Sequence, residues 1–266
     1  MKKSFNIDEF LLRYPHAEEK IKTNNIDINV LSEIYNDFVD YEISYENHAD
    51  FISNILRSQP IIHTVKSRIK DPDRLIEKII RKTEDRKSKY GKDFQFTLDN
   101  YKNEINDLIG IRVIHIFKDQ WQDIHEFITK TWSVIEVTAN VREGDNTKKF
   151  EELGIEVRSR ISGYRSVHYL VEFYPTNEKV IAEIQVRTIF EEGYGEIDHR
   201  LRYSHSEIPE ILRSNLLLFN RIAGSADEMA SLINDLSKEW FSKEEELLKI
   251  IEEQKEEIER LKKLNK

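Results

Sequence analysis

From Leu108 to Phe117 the chain reads LIGIRVIHIF, a ten-residue run rich in β-branched side chains. Such a run reads as a buried strand and commits this part of the chain to a sheet. WSVIEVTAN (132–140) and SVHYLVEFY (166–174) read as further strands. A turn at Pro175-Thr176-Asn177 leads into KVIAEIQVR (179–187), a strand that returns. Helical patterns lie on both sides. Residues 7–57 space their apolar side chains by three and four, with Asn29 or Ser32 as cap of the longer piece. Residues 61–89 continue helically around Pro72, where Asp71-Pro72 looks like a helix start. Residues 119–131 read as a short helix and 142–156 as a polar loop, while 188–204 and 209–236 read as helices. From Trp240 a tail places Leu247, Ile251, Ile258 and Leu261 on one seam, interrupted by Gln254. Glu245–Lys249, Glu256–Arg260 and Glu259–Lys263 flank it as i,i+4 pairs. The expected fold is α/β of the α+β kind: helices, a mixed β-sheet, then helices.

The chain has 266 residues, 39% of them hydrophobic, enough to bury a core. No run approaches 18 apolar residues, so no membrane helix is expected. The start, MKKSFNIDEFLLRYP, is broken by acidic residues and makes a poor secretory signal. Cysteine is absent, which excludes disulfides, thiolate metal sites and Cys nucleophiles. A cytoplasmic location fits best. Charge is unevenly placed: residues 61–92 hold 11 basic and 5 acidic side chains, net +6, in a chain of net -9. Alone, such a run reads as a solvated helix face. A local cationic cluster also suits a compact polyanion such as a nucleoside triphosphate. There is no GxxxxGK[ST], GxGxxG, HExxH or GxSxG, and the eight glycines are scattered. Any phosphate must therefore be held mostly by side-chain cations.

Four pieces carry chemistry. HTVKSRIKDPDRLIEKIIRK (63–82) places Arg74, Lys78, Arg81 and Lys82 on one helix face, with Lys66, Arg68 and Lys70 upstream. NDLIGIRVI (106–114) puts Asp107 before a strand and Arg112 within it. SGYRSVHYLV (162–171) is the third. In AEIQVRT (182–188), Glu183, Gln185 and Arg187 alternate, so all three point to one side of a strand whose other side is Ala182, Ile184 and Val186.

In this order the four pieces resemble the synthetase domain of the RelA/SpoT family: an R-x-K segment, a D-x-x-G-x-R strand, a G-Y-R-S-x-H strand and an E-x-Q-x-R-T strand. The resemblance implies a helical N-terminal extension over 1–60, the synthetase domain over 61–205 and C-terminal helices over 206–266. It implies a nucleotidyltransferase-like core and transfer of pyrophosphate from ATP to the ribose 3′-hydroxyl of GDP or GTP, making the alarmone (p)ppGpp. Asp107 and Glu183 match the family's acidic pair and would hold Mg²⁺, with Glu183 also placed to take the hydroxyl proton. Arg68, Lys70, Lys78 and Arg112 would grip ATP. Tyr164, Arg165, His168, Gln185 and Arg187 would line the acceptor side, Tyr164 stacking on the base with Gly163 leaving room. In that role Tyr164→Phe keeps the ring and costs little. Outside the motif the same residues read more plainly: Asp107 as a cap, Glu183 as a partner of Arg187, Tyr164 and His168 as core.

The pattern departs from the family at three places. The stretch before G-Y-R-S is EVRSRI, with Arg158 and Arg160 its only cations. Arg74 stands where Ser is common, and Glu192 where Asn often sits. These departures bear on the acceptor. One alternative keeps the reaction and changes the acceptor to the 3′ end of tRNA, in a toxin–antitoxin pair, or to an adenine nucleotide. Another is a non-catalytic interaction protein. The C-terminal helices offer a surface for a homo-oligomer.

Overall fold

The computed structural model describes residues 5–204 and 208–264. Four helices open the chain: α1 (Ile7–Arg13), α2 (His16–Asn24), α3 (Ile28–Asp40) and α4 (Glu42–Arg57). The cap of α3 is Asp27, two residues before Asn29, and its carboxylate accepts from the Asn29 N–H at 2.8 Å. These helices share one apolar core with the sheet, through Phe10, Leu31, Ile34, Phe38, Ile52 and Leu56.

Residues Thr64–Ile69 form strand β1, where a continuing helix was expected. Only Val65 of the six is buried, so the strand lacks the apolar alternation that would reveal it. Pairing with β2 (Ile109–His115) decides its conformation. Helix α5 (Pro72–Tyr90) starts where Asp71-Pro72 indicated, with the Asp71 carboxylate accepting from the Arg74 N–H. The short α6 (Tyr101–Glu104) leads to β2, and a 3₁₀ turn (Lys118–Gln120) leads to α7 (Trp121–Thr131). Then come β3 (Ser133–Val141), α8 (Lys148–Glu152), β4 (Glu156–Ser159), β5 (Ser166–Phe173), β6 (Val180–Thr188), α9 (Ile189–Ser204) and α10 (Glu210–Leu264). The stretch expected as a plain loop thus holds α8 and the start of β4. The segments read as a helix over 209–236 and a separate tail are one continuous helix, α10.

The six strands lie in the order β1-β2-β6-β5-β3-β4. β2 and β6 run parallel, as do β3 and β4, and the remaining neighbours are antiparallel. The sheet is mixed and flanked by helices. Ile109, Ile111, Val113, Ala182, Ile184 and Val186 bury one of its faces in the core. Among the described residues, no helix is long and apolar enough to cross a membrane.

Candidate active site

Sheet register builds the opposite face. Arg68, Gly110 and Glu183 stand on one row across β1, β2 and β6. Lys66, Arg112, Gln185 and His168 stand on the next row, across β1, β2, β6 and β5. Paired residues in neighbouring strands point to the same side, so cations from β1 and β2 face the polar stripe of β6. A Cβ at Gly110 would lie 3.3 Å from Arg68 Nε, so the missing side chain leaves space for that arginine.

Five side chains close a hydrogen-bonded ring. Arg187 Nη2 donates to the Tyr164 hydroxyl and to Gln185 Oε1, both at 2.6 Å. Tyr164 Oη lies 3.0 Å from His168 Nε2, and His168 Nδ1 lies 3.1 Å from Glu183 Oε1. Gln185 Nε2 donates to Glu183 Oε2 at 2.7 Å. One assignment satisfies every member: the Tyr164 O–H donates to Nε2, and Nδ1–H donates to Glu183. Both arms of the ring then end on the Glu183 carboxylate. Burial pushes Glu183 up, but the hydrogen bonds it accepts from the His168 imidazole and from Gln185 hold the group below its ordinary value; Asp107 pushes it the other way. That last effect places the two carboxylates within electrostatic reach of each other.

Asp107 lies just before β2. Lys70 Nζ donates to Oδ2 at 2.9 Å. Lys78 Nζ, from α5, sits 2.9 Å from Oδ1 as an ion pair off the hydrogen-bonding direction. Burial raises Asp107, and the two ammonium groups more than reverse it, so the carboxylate lies below its usual range. Burial pulls Lys70 below its ordinary value despite Asp107. Of Arg74, Lys78, Arg81 and Lys82, expected on one face of α5, Lys78 meets Asp107. Arg81 pairs with Glu77 and Lys82 with Asp85, one turn away on the same helix.

Asp107 Oδ1 is buried and has no hydrogen-bond donor. Glu183 is a second ionised oxygen donor nearby. Among the described residues, no three His, Cys, Asp or Glu gather as a metal cage. Two carboxylates fit Mg²⁺, which keeps several waters and takes the remaining ligands from substrate phosphates.

Helix α9 closes this side of the sheet, and its acids were not anticipated as site residues. Glu192 Oε1 takes Arg112 at 3.3 Å and Lys66 at 3.4 Å, while Oε2 takes Arg187 at 3.1 Å. Glu196, one turn on, also pairs with Arg112. Burial lowers Arg112, and Glu192 and Glu196 together raise it above its ordinary value. Arg187 therefore pairs with Glu192, and no Glu183–Arg187 bridge is seen. The sequence signal for Glu192 was its acidity at a position where the family often has Asn; nothing local revealed its partners.

Arg165 stands apart from this cluster. Its guanidinium grips Asp145 through Nε at 2.6 Å and Nη2 at 3.0 Å, and Nη1 donates to Asn220 of α10 at 3.2 Å. This buried clamp ties the β3–α8 connection to α10 and engages the guanidinium of the arginine expected on the acceptor side. The room at Gly163 is likewise taken from within. A Cβ there would lie 2.7 Å from Asn220 Oδ1, and φ is +76°, a left-handed value that favours glycine.

Residues 67–208 match the family described as the region found in RelA/SpoT proteins. The GTP pyrophosphokinase YwaC of Bacillus subtilis (strain 168) is 30% identical over 181 residues, 64% of this chain and 71% of that protein. The small alarmone synthetase 1 of Bacillus subtilis superposes with a TM-score of 0.59 at 22% identity, covering 75% of this chain and 97% of that one. Its complex with the product pppGpp gives 0.55 at 22% identity, covering 72% and 93%. The fold is thus that of the small alarmone synthetases. With the family region spanning more than half of its length, the chain belongs to the RelA/SpoT family and is an enzyme of the pyrophosphokinase class.

Proposed function

We propose that this enzyme moves the β,γ-pyrophosphate of ATP to the 3′-hydroxyl of GDP or GTP. The observation that carries the reading is the closed ring of Arg187, Tyr164, His168, Gln185 and Glu183, with Asp107 within electrostatic reach of Glu183. The names of the relatives support the guanine acceptor, since one is a GTP pyrophosphokinase and another was captured with pppGpp.

In the reaction the 3′-oxygen bonds to the β-phosphorus of ATP, the bond from that phosphorus to the α,β-bridging oxygen breaks, and AMP leaves. Arg68, Lys70, Lys78 and Arg112 neutralise and orient the triphosphate. Asp107 and Glu183 would hold Mg²⁺, which supplies charge neutralisation at the transferring phosphates. A carboxylate below its ordinary pKa is a weak base at neutral pH, so Glu183 suits ligation better than proton abstraction. The hydroxyl proton leaves to water or passes to Glu183 only as the new bond forms. Tyr164 offers its ring to the acceptor base, with Arg187 over the ring at 5.1 Å from its centroid.

The test is anion-exchange chromatography after incubation with ATP, Mg²⁺ and GDP, GTP, AMP or labelled tRNA in parallel. The expected result is AMP release matched by a 3′-pyrophosphorylated guanine nucleotide. Product from AMP or tRNA alone would move the acceptor to the corresponding alternative. Glu183→Gln should lower turnover by at least ~10³-fold, because a metal ligand and the end point of the ring lose their charge. A variant within tenfold of wild type would sink the assignment of Glu183.

A further inference from the structure

The family resemblance gave Glu192 no role. It lies in the first turn of α9, immediately after β6 ends at Thr188. That turn is fixed by a reciprocal cap: the Thr188 N–H donates to Glu191 Oε2 at 2.9 Å, and the Glu191 N–H donates to Thr188 Oγ1 at 3.1 Å. The cap sets the helix so that the next residue turns back over the sheet. The Glu192 side chain is 8% exposed, and its two oxygens divide their partners. Oε1 holds Lys66 of β1 and Arg112 of β2, on the side assigned to ATP. Oε2 lies 3.1 Å from Nη1 of Arg187 of β6 as an ion pair off the hydrogen-bonding direction, and the other terminal nitrogen of Arg187 closes the ring on the acceptor side.

A buried carboxylate with only one partner would be an ordinary ion pair. This one spans cations from three strands. Around it stand three positive charges, Lys66, Arg112 and Arg187, against Glu192 and Glu196. The two arginines share that one carboxylate, so a displacement of either bears on the other. Arg187 is 3% exposed and cannot reach far into solvent to meet a nucleotide, so its alignment depends on what holds it.

We infer that Glu192 is a positioning residue that couples the two nucleotide sites by fixing Arg112 and Arg187 in one frame. The inference rests on the pyrophosphokinase reading above. It predicts that binding at one site improves binding at the other, because a nucleotide that draws on Arg112 acts through the shared Glu192 carboxylate on Arg187. Removing the charge of Glu192 frees the arginines. Each nucleotide then binds alone at least as tightly, while the mutual effect and the turnover fall.

The experiment is calorimetric titration of the full chain with α,β-methylene-ATP, with and without saturating GDP, alongside steady-state kinetics. In wild type GDP should tighten the analogue by about fivefold or more, within the usual range of coupling between sites. In Glu192→Gln that factor should fall below about twofold, with unchanged or lower ATP KM. Its kcat should drop by about ten- to a hundredfold, the scale of an ångström-level misplacement. Glu192→Asp keeps the charge, should retain part of both effects, and serves if the glutamine variant does not fold. A variant that melts lower but keeps coupling and kcat in its folded fraction would overturn the inference and make Glu192 a fold-holding ion pair only. Raised KM for both nucleotides with unchanged kcat would also overturn it. If wild type binds neither nucleotide, the pyrophosphokinase reading itself fails and the inference falls with it.

Discussion

The Tyr164 hydroxyl takes an N–H from Arg187 and faces His168 Nε2, so the oxygen is part of the site as much as the ring. The sequence expectation that Tyr164→Phe costs little is therefore revised. Losing the hydroxyl leaves a buried guanidinium N–H and an imidazole nitrogen without partners, worth ~1–3 kcal/mol. Turnover should fall by about ten- to a hundredfold with acceptor KM little changed, because the ring remains. Tyr164→Ala should add a large rise in acceptor KM from lost stacking. Parallel kinetics on the two variants check this; equal KM for both would remove the stacking role. Next door, Gly163→Ala meets Asn220 and forces a side chain into positive φ. It should cost ~1–3 kcal/mol of stability, read as a lower melting temperature. An unchanged melt would mean that Asn220 swings aside freely, which its bonds to Gly163 O and Arg165 oppose.

Helix α10 docks through a polar seam. Asn220 donates to Gly163 O at 2.8 Å, Ser231 Oγ accepts from the Lys118 N–H at 3.2 Å, and Lys238 reaches Asp119 at 3.4 Å. Between these anchors Asp227 is fully buried, and neither of its oxygens has a well-aligned donor. Burial pushes its pKa up to about 7, with Glu191 of α9 adding to the rise, against the Thr188 hydroxyl, Lys118 and Arg165. An unfolded Asp titrates near ~4. Between these values the folded state binds more protons than the unfolded one, so stability is highest at the acid end of the window and is lost as pH rises toward 7. Above pH 7 both states are ionised and the curve is flat. Asp227→Asn should remove this slope and leave the melting temperature nearly level from pH 5 to 8 as far as this group contributes. A slope equal to wild type would mean that Asp227 stays ionised across the window.

Helix α10 is 55 residues long, about 82 Å at 1.5 Å per residue, and extends well beyond its docking seam. Every residue from Asp235 to Lys263 is exposed. They include Trp240 at 71% and Phe241 at 60%, besides the seam of Leu247, Ile251, Ile258 and Leu261. The flanking ion pairs differ in detail from expectation, since Arg260 meets Glu257 at 3.7 Å. Most helical stability in proteins comes from packing of an apolar face, and a second copy packed on this seam is a prediction that truncation tests. Deleting residues 240–266 should reduce the mass in solution by light scattering while retaining synthesis in the folded fraction. A truncated chain of unchanged mass that folds but does not turn over would place the distal helix in the active site.

Period-two alternation made Glu183, Gln185 and Arg187 legible as one face, and the β-branched run made β2 legible, because both signals are local to a few residues. The start of α5 was legible for the same reason: Asp71 and Pro72 act on the turn that they begin. Strand β1 was not legible, since an edge strand with one buried residue carries no apolar period and takes its conformation from β2. The partners of Glu192 lay further out of reach. Lys66 is 126 positions away in sequence, and only the register of β1, β2 and β6 beneath α9 brings the two together. Arg165 sat inside the most specific motif and still went to Asp145 and Asn220, because the docking of α10 offered it a carboxylate and an amide. The sequence by itself determined which side chains could do phosphate chemistry and that β2, β5 and β6 would be strands, while β1 with Lys66 and Arg68 stayed hidden. Tertiary structure decided which cations meet which carboxylates, since an ion pair depends on distance in space and local pattern carries no information about that distance.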